Sequence, residues 1–198
     1  MENLDLSPPT VILGIWLAWV ISWLAAAAWS KPAARKAGLA REFLYRAAIF
    51  GGALVLAVLR RFPHGLDTRL WPPSPDLQWG LVAAVAAGCL FTWWARLHLG
   101  SLWSSNVTRK DDHRVIDTGP YRIVRHPIYT GMILALLATA LEYATPLVFA
   151  GIALMIIGIV MKARLEEGFL RSELGKGAYD TYARRVPMLV PFWPRRTD

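Results

Sequence analysis

A single cysteine, Cys89, stands inside an apolar stretch of this 198-residue chain. Neither an intramolecular disulfide framework nor a cysteine-rich zinc site can therefore be built, and a small buried side chain is its expected role. Acidic residues are few, 14 against 22 lysines and arginines, leaving a formal charge of +8. No glycine-rich loop follows a strand-like run, which excludes a Rossmann-type cofactor domain on pattern. The chain also lacks an apparent catalytic triad, an internal repeat, a low-complexity tract and a long flexible linker. No metal site is expected.

What the chain has in excess is apolar length. Its hydrophobic content is 55% and its mean hydropathy +0.35, too apolar for an ordinary soluble protein of this size. The run from Thr10 to Trp29 carries no charge, enough to cross the roughly 30 Å core of a bilayer. Further spans read as Phe43 to Leu59, Leu77 to Leu97, Tyr129 to Tyr143 and Pro146 to Met161. Glu142 and Pro146 divide the last two, so a turn between antiparallel helices is expected there. A cleaved signal peptide fits poorly, because Glu2 and Asp5 precede the first run and that run is too long. The expected fold is all-α, an integral membrane bundle of five transmembrane helices with a cytoplasmic C-terminal helical cap. It forms a single domain over 1–198, with three spans in 1–99 and a cofactor-binding half in 100–198.

Charge sets the expected orientation. Lys31, Arg35, Lys36, Arg41 and Arg46 lie between the first two spans, whereas Asp67 and Asp76 offset Arg60, Arg61 and Arg69 in the next connection. This bias puts the first connection in the cytoplasm of the cell membrane, the N-terminus outside and the arginine-rich tail inside. A basic membrane face then explains the net charge more simply than nucleic acid does. Trp71, Trp79, Trp93, Trp94, Trp103 and Trp193 fall near span ends, where headgroup anchoring explains most of them. After the fifth span, Glu166 to Leu174 suggests a helix continuing outward and ending near Gly175 and Gly177, with Tyr179 and Tyr182 one turn apart beyond it.

The most informative stretch is Gly119-Pro120-Tyr121-Arg122-Ile123-Val124-Arg125-His126-Pro127-Ile128-Tyr129-Thr130-Gly131. Pro127 suits a first helical turn, and the unsatisfied amides there favour an anion beside Arg125 and His126. An isolated Arg-His pair is explained well enough by headgroup anchoring. Here Tyr121 and Tyr129 flank the pair, and Glu166-Glu167 stand where span five emerges. Acids at a bilayer exit are costly unless solvated or paired, so one pairing sets Arg125 and His126 against Glu166 or Glu167 around a zwitterionic ligand. A plain inter-helix salt bridge is the simpler alternative.

On these residues the chain resembles the isoprenylcysteine carboxyl methyltransferase (ICMT) family and its bacterial relatives, membrane enzymes that use S-adenosylmethionine. The likeness runs roughly from Leu97 to Phe192. It includes His113 before Gly119-Pro120-Tyr121, then Arg125-His126-Pro127-Ile128-Tyr129 with Gly131, Glu166-Glu167, Gly175, Tyr179 with Tyr182, Arg185-Val186-Pro187 and Pro191-Phe192. The resemblance implies a cofactor site drawn from Asn106, His113, Arg114, Val115, Ile116, Tyr121, Arg125, His126, Pro127, Ile128, Tyr129 and Gly131, completed by Glu166 or Glu167. Counting back from Gly175 selects Glu166, and counting back from Tyr179 selects Glu167. It also implies a basic substrate-holding residue just before the glutamates, for which Arg164 is preferred over Lys162. The first two spans carry no family signature.

The expected activity is S-adenosylmethionine-dependent methylation of an apolar acceptor, by carboxylate O-methylation of the isoprenylcysteine type or a related lipid or thiol methylation. A lipid or apolar small molecule, with no nucleic acid and no obligate protein partner, is the expected company. Two readings compete with it. An NADPH-dependent reductase related to the membrane sterol reductases shares a similar Arg-His-Pro turn, but needs about twice as many spans. A non-enzymatic membrane subunit would use the polar residues only to lock helices together.

Overall fold

A computed structural model describes residues 6–26, 35–36, 39–58, 68–100, 108–109, 116–174 and 176–193. Among them run six α-helices: α1 (Pro8–Ala26), α2 (Leu39–Val58), α3 (Pro75–Leu99), α4 (Pro127–Tyr143), α5 (Pro146–Leu174) and α6 (Lys176–Arg185). The rest of the regular structure is a two-residue antiparallel pairing of Arg35–Lys36 with Thr108–Arg109 and a 3₁₀ turn at Gly119–Arg122. Within the described residues, each of the five expected apolar runs is helical. Three of them, α1, α3 and Pro146–Ser172 of α5, are long and apolar enough to cross a membrane. α4 is apolar but shorter, and Arg41, Glu42 and Arg46 make the first turns of α2 polar. Large apolar side chains such as Leu17, Leu24, Phe50, Leu54, Leu90 and Leu137 lie exposed on four different helices. Apolar surface of this extent belongs against hydrocarbon, and it makes the chain an integral membrane protein.

Proline and small residues set the boundaries. Pro75, Pro127 and Pro146 each occupy the first turn of a helix, where the missing N–H costs nothing. Ser74 caps α3 by accepting from the Leu77 N–H, and Ala144, in the left-handed region at φ 49°, closes α4. Only two residues, Ala144 and Thr145, then separate α4 from α5, the hairpin that Glu142 and Pro146 lead one to expect. α5 continues past the expected end of the span at Met161 to Leu174, the extension that the stretch from Glu166 to Leu174 suggests. This carries Lys162, Glu166 and Glu167 on a continuous helix. Gly177 does not end a helix but lies inside α6, while Gly175 lies outside the described residues.

Helices pair where glycine removes the side chain between them. A Cβ on Gly88 of α3 would meet the Gly131 carbonyl and Ala135 of α4, and one on Gly131 would meet Gly88 and Thr92. The same holds between α2 and α5 at Gly52, Gly151 and Gly158. In lipid, where apolar surface gains little by leaving one hydrocarbon for another, such close van der Waals packing is what joins helices. α1 is held more lightly, with only Ile12 and Ala26 buried, but its indoles reach across: Trp16 donates to Thr139 at 3.0 Å and Trp19 to Thr92 at 2.6 Å. Trp93 likewise donates to Ser22 at 3.2 Å, which gives this expected headgroup anchor an inter-helix bond.

Two polar ties mark opposite ends of the bundle. Buried Arg96 donates to the Ala26 carbonyl at 2.9 Å and the Gly100 carbonyl at 2.8 Å, binding together the last turns of α1 and α3. At the other end Gln78 donates to fully buried Glu142 at 2.9 Å, and the Leu70 N–H to the Ala144 carbonyl at 2.8 Å. Thus the start of α4 and the last third of α5 share one end with the start of α2 and the last turns of α1 and α3. Most of the described candidate site residues gather there.

Candidate active site

The site forms where α4 begins. His126 precedes Pro127, so its ring projects from the helix entrance while its N–H has no intrahelical acceptor. The tail supplies one. The Arg125 N–H bonds to the Pro187 carbonyl at 2.9 Å, the His126 N–H to that of Met188 at 3.1 Å, and the Thr130 hydroxyl to that of Leu189 at 2.7 Å. The segment after α6 thereby lies along the first turn of α4.

Two acids of α5 face this entrance. Arg125 Nε donates to Glu167 Oε1 at 2.7 Å, and the same oxygen lies 3.3 Å from His126 Nε2. His126 Nδ1 lies 3.6 Å from Glu166 Oε2, and the Tyr129 hydroxyl donates to Glu166 Oε1 at 2.6 Å. The Tyr129 ring stacks on that of His126, 5.4 Å between centroids and 10° between planes. Burial of His126 opposes its protonation, but hydrogen bonds and charge from Glu166 and Glu167 outweigh it and hold its pKa above the ordinary value. The ring is thus disposed towards imidazolium between two carboxylates.

Arg125 has a second function within the fold. Its Nη1 donates to the carbonyls of Ala183, at 2.9 Å, and Val186, at 2.6 Å, where α6 ends. A cation at a helix C-terminus satisfies carbonyls that have no partner along the helix and opposes the negative end of its dipole. One guanidinium therefore bridges α5, the α4 entrance and the tail. Tyr182 adds a bond from its hydroxyl to the Tyr121 carbonyl at 2.7 Å, and Tyr179 packs edge-on against it. Burial pushes the Tyr121, Tyr179 and Tyr182 phenols up, so all three stay neutral. The 3₁₀ turn is fixed at Gly119, whose φ is 56° and whose missing Cβ makes room for the His98 ring.

Of the two basic candidates, Lys162 lies in the cluster, 3.9 Å from Glu166 Oε1 and one turn before it on the same helix face. Arg164, two residues on and about 200° around the helix, is exposed. The structure thus brings together Tyr121, Arg125, His126, Pro127, Tyr129, Lys162, Glu166 and Glu167. Gly131 sits one turn deeper at the α3 crossing, while Ile116 and Ile128 are half-buried nearby in the sequence. Asn106, His113, Arg114 and Val115 lie outside the described residues. Tyr45, which the sequence did not single out, reaches the cluster from α2: its ring lies 5.7 Å from Lys162 Nζ. Nothing in α2 resembles a motif, so only the position of Tyr45 opposite α5 reveals it.

The residues that build this cluster fall largely in one stretch. Residues 81–170 match the Isoprenylcysteine carboxyl methyltransferase (ICMT) family. That ICMT stretch holds α3 from Leu81 onward, α4 and α5 through both acids, and leaves out α1, α2 and the tail. The chain is 32% identical over 112 residues to a "Probable protein-S-isoprenylcysteine O-methyltransferase" of Oryza sativa subsp. indica, covering 56% of this chain and 53% of that protein. It is 43% identical over 84 residues to "Methanethiol S-methyltransferase 2" of Bradyrhizobium diazoefficiens, covering 39% of this chain and 30% of that protein. With "Methanethiol S-methyltransferase 1" of the same organism the identity is 43% over 140 residues, 66% of this chain and 48% of that protein. The chain spans about half the length, or less, of these curated relatives.

Proposed function

We propose that this protein is an S-adenosylmethionine-dependent membrane methyltransferase whose acceptor is apolar and carries an anionic nucleophile, a carboxylate or a thiolate. The observation that carries the reading is the meeting of His126, Tyr129 and Lys162 with Glu166 at one end of the bundle, inside the ICMT stretch. The relatives' names divide between O- and S-methylation, which fits both nucleophiles.

The donor set suits the proposed cofactor. S-adenosylmethionine brings a sulfonium, an ammonium and a carboxylate, and the cluster offers carboxylates beside an imidazole and an ammonium. Glu166 is the better cofactor acid, because Glu167 is already joined to Arg125 at 2.7 Å. His126 would hold the carboxylate side and Glu166 the cationic side. Bound there, the cofactor supplies an electrophilic methyl group. The protein's part is then alignment in a site that excludes water, with the α6 tail as the cover. A carboxylate or thiolate needs no base, so Lys162 is assigned to orient the acceptor's negative charge, in preference to Arg164, which lies exposed.

All five long helices are assigned to the bilayer, with the site at the cytoplasmic surface and the N-terminus outside. Support comes from the alternation of the helices, which brings the basic connections and the tail to the end where the cluster lies. An apolar acceptor then reaches the site from the membrane and a water-soluble cofactor from the cytoplasm.

Isothermal titration of purified protein in detergent is expected to show S-adenosylmethionine and S-adenosylhomocysteine binding, lost or weakened by at least about tenfold in His126→Ala, a change worth 1.4 kcal/mol. Membranes given labelled S-adenosylmethionine and candidate acceptors should yield a labelled lipid or thioether, absent with His126→Ala. Folded protein that binds neither nucleoside, or quenches NADPH fluorescence instead, overturns the reading.

A further inference from the structure

We propose that Tyr45, Tyr129 and Glu166 form a cage for the sulfonium of the methyl donor, with the Lys162 ammonium as its tethered stand-in until the donor binds. This rests on the function proposed above and adds α2, which the ICMT stretch does not include, to the site.

Lys162 Nζ lies 5.5 Å from the Tyr129 ring centroid, 5.7 Å from that of Tyr45 and 3.9 Å from Glu166 Oε1. A cation set against two aromatic rings beside a carboxylate is how proteins recognise methylated ammonium groups. A sulfonium shares their chemistry: its charge is spread over carbon-bound hydrogens and is weakly hydrated. The lysine ammonium, by contrast, is a compact and strongly hydrated charge. It is the poorer occupant of an aromatic cage, on a stem flexible enough to leave.

The cage walls are held firmly. Tyr129 is fixed by its hydroxyl on Glu166 and its stack on His126. Tyr45 is 3% exposed, and α2 carries it to the site at the glycine crossing, where a Cβ on Gly158 would meet the Tyr45 carbonyl. A second, independent feature of α2 favours a cation. Glu42, three residues before Tyr45 on the same helix face, is 5% exposed; its Oε2 pairs with Arg46 at 2.6 Å, while Oε1 has no hydrogen-bond partner. α2 therefore adds an unsatisfied buried carboxylate oxygen beside its aromatic wall.

Arg46 also lies over the Tyr45 ring, 5.9 Å from its centroid, but its charge is met by Glu42 at 2.6 Å. Lys162 and a sulfonium would both draw on Glu166, and like charges a few ångströms apart repel strongly away from bulk water. Lys162 must vacate the cage when the donor's sulfonium enters, and its stem lets the ammonium turn to the acceptor's anionic group. Donor arrival and acceptor positioning become one event.

The test compares dissociation constants for cationic S-adenosylmethionine and neutral S-adenosylhomocysteine, by isothermal titration, in the wild type, Lys162→Met, Tyr45→Phe and Tyr45→Leu. Lys162→Met removes the competing charge and should favour S-adenosylmethionine over S-adenosylhomocysteine by about three- to tenfold more than the wild type does. Tyr45→Leu should shift the ratio the other way by a similar factor, and Tyr45→Phe, which keeps the ring, should leave it unchanged. Lys162→Met decides the matter even if Tyr45→Leu fails to fold. Equal effects on both nucleosides, or none, overturn the cage and leave the proposed function standing. Wild-type protein that binds neither overturns both.

Discussion

Two neighbouring residues, Arg125 and His126, divide the work that the sequence suggested they share. Arg125 joins Glu167 to the end of α6 and is 11% exposed, so its replacement strands a buried carboxylate and frees two carbonyls. Arg125→Ala is expected to lose about 3 kcal/mol of stability and to expose the tail to limited proteolysis; full resistance would show that the clamp is dispensable. His126 predicts a pH effect. Its pKa is raised in the folded protein by Glu166 and Glu167 against the cost of burial, with Arg125, Lys162 and Tyr129 as the other nearby polar groups. The stabilisation is therefore complete below the unfolded value near 6.5 and fades as pH rises through the higher folded value. Melting temperatures of wild type and His126→Gln between pH 6 and 9 should differ most at pH 6 and converge upward. A constant gap would mean that the imidazole works uncharged.

Helix pairs, at the next scale, depend on missing side chains. Gly131→Val is expected to force α3 and α4 apart and cost about 1–3 kcal/mol, because the added carbon meets the Gly88 carbonyl and Thr92. Gly158→Val should loosen α2 from α5 and withdraw Tyr45 from Lys162, weakening nucleoside binding although residue 158 touches no ligand. Gly14→Ala, with open space around its would-be Cβ, is the control that should melt like the wild type. Thermal melts in detergent rank the three. The α4–α5 hairpin was legible as a break at Glu142 and Pro146, since proline starts helices and does not continue them. The continuation of α5 past the span was legible too, from the alternation of apolar and charged residues between Glu166 and Leu174, and the helix ends at Leu174.

The whole molecule is a bundle with a polar cluster at one end, and its orientation is open to direct measurement. Cys89 is the sole cysteine and is buried, so Cys89→Ala gives a clean background for single cysteines. Ser7→Cys is expected to react with an impermeant maleimide in intact cells, and Arg184→Cys only after the membrane is opened. The reverse pattern would invert the bundle. The expected pattern, together with the tail bonds to Arg125, His126 and Thr130, would place the α6 cover on the cytoplasmic side of the site.

Sequence alone determined the helical, membrane-embedded class, the run around Arg125-His126-Pro127 and the acid pair, because apolar length and clustered charge are local properties of a chain. Which partner each side chain takes was decided in three dimensions. Glu166 and Glu167 are adjacent in sequence, yet one bonds to Tyr129 and the other to Arg125. Lys162 and Arg164 are two residues apart, yet helical geometry turns one into the cluster and leaves the other exposed. Tyr45 carries no signature at all and enters the site only because glycines let α2 lie close against α5. Such pairings depend on contacts between residues far apart in the chain, and no local pattern records them.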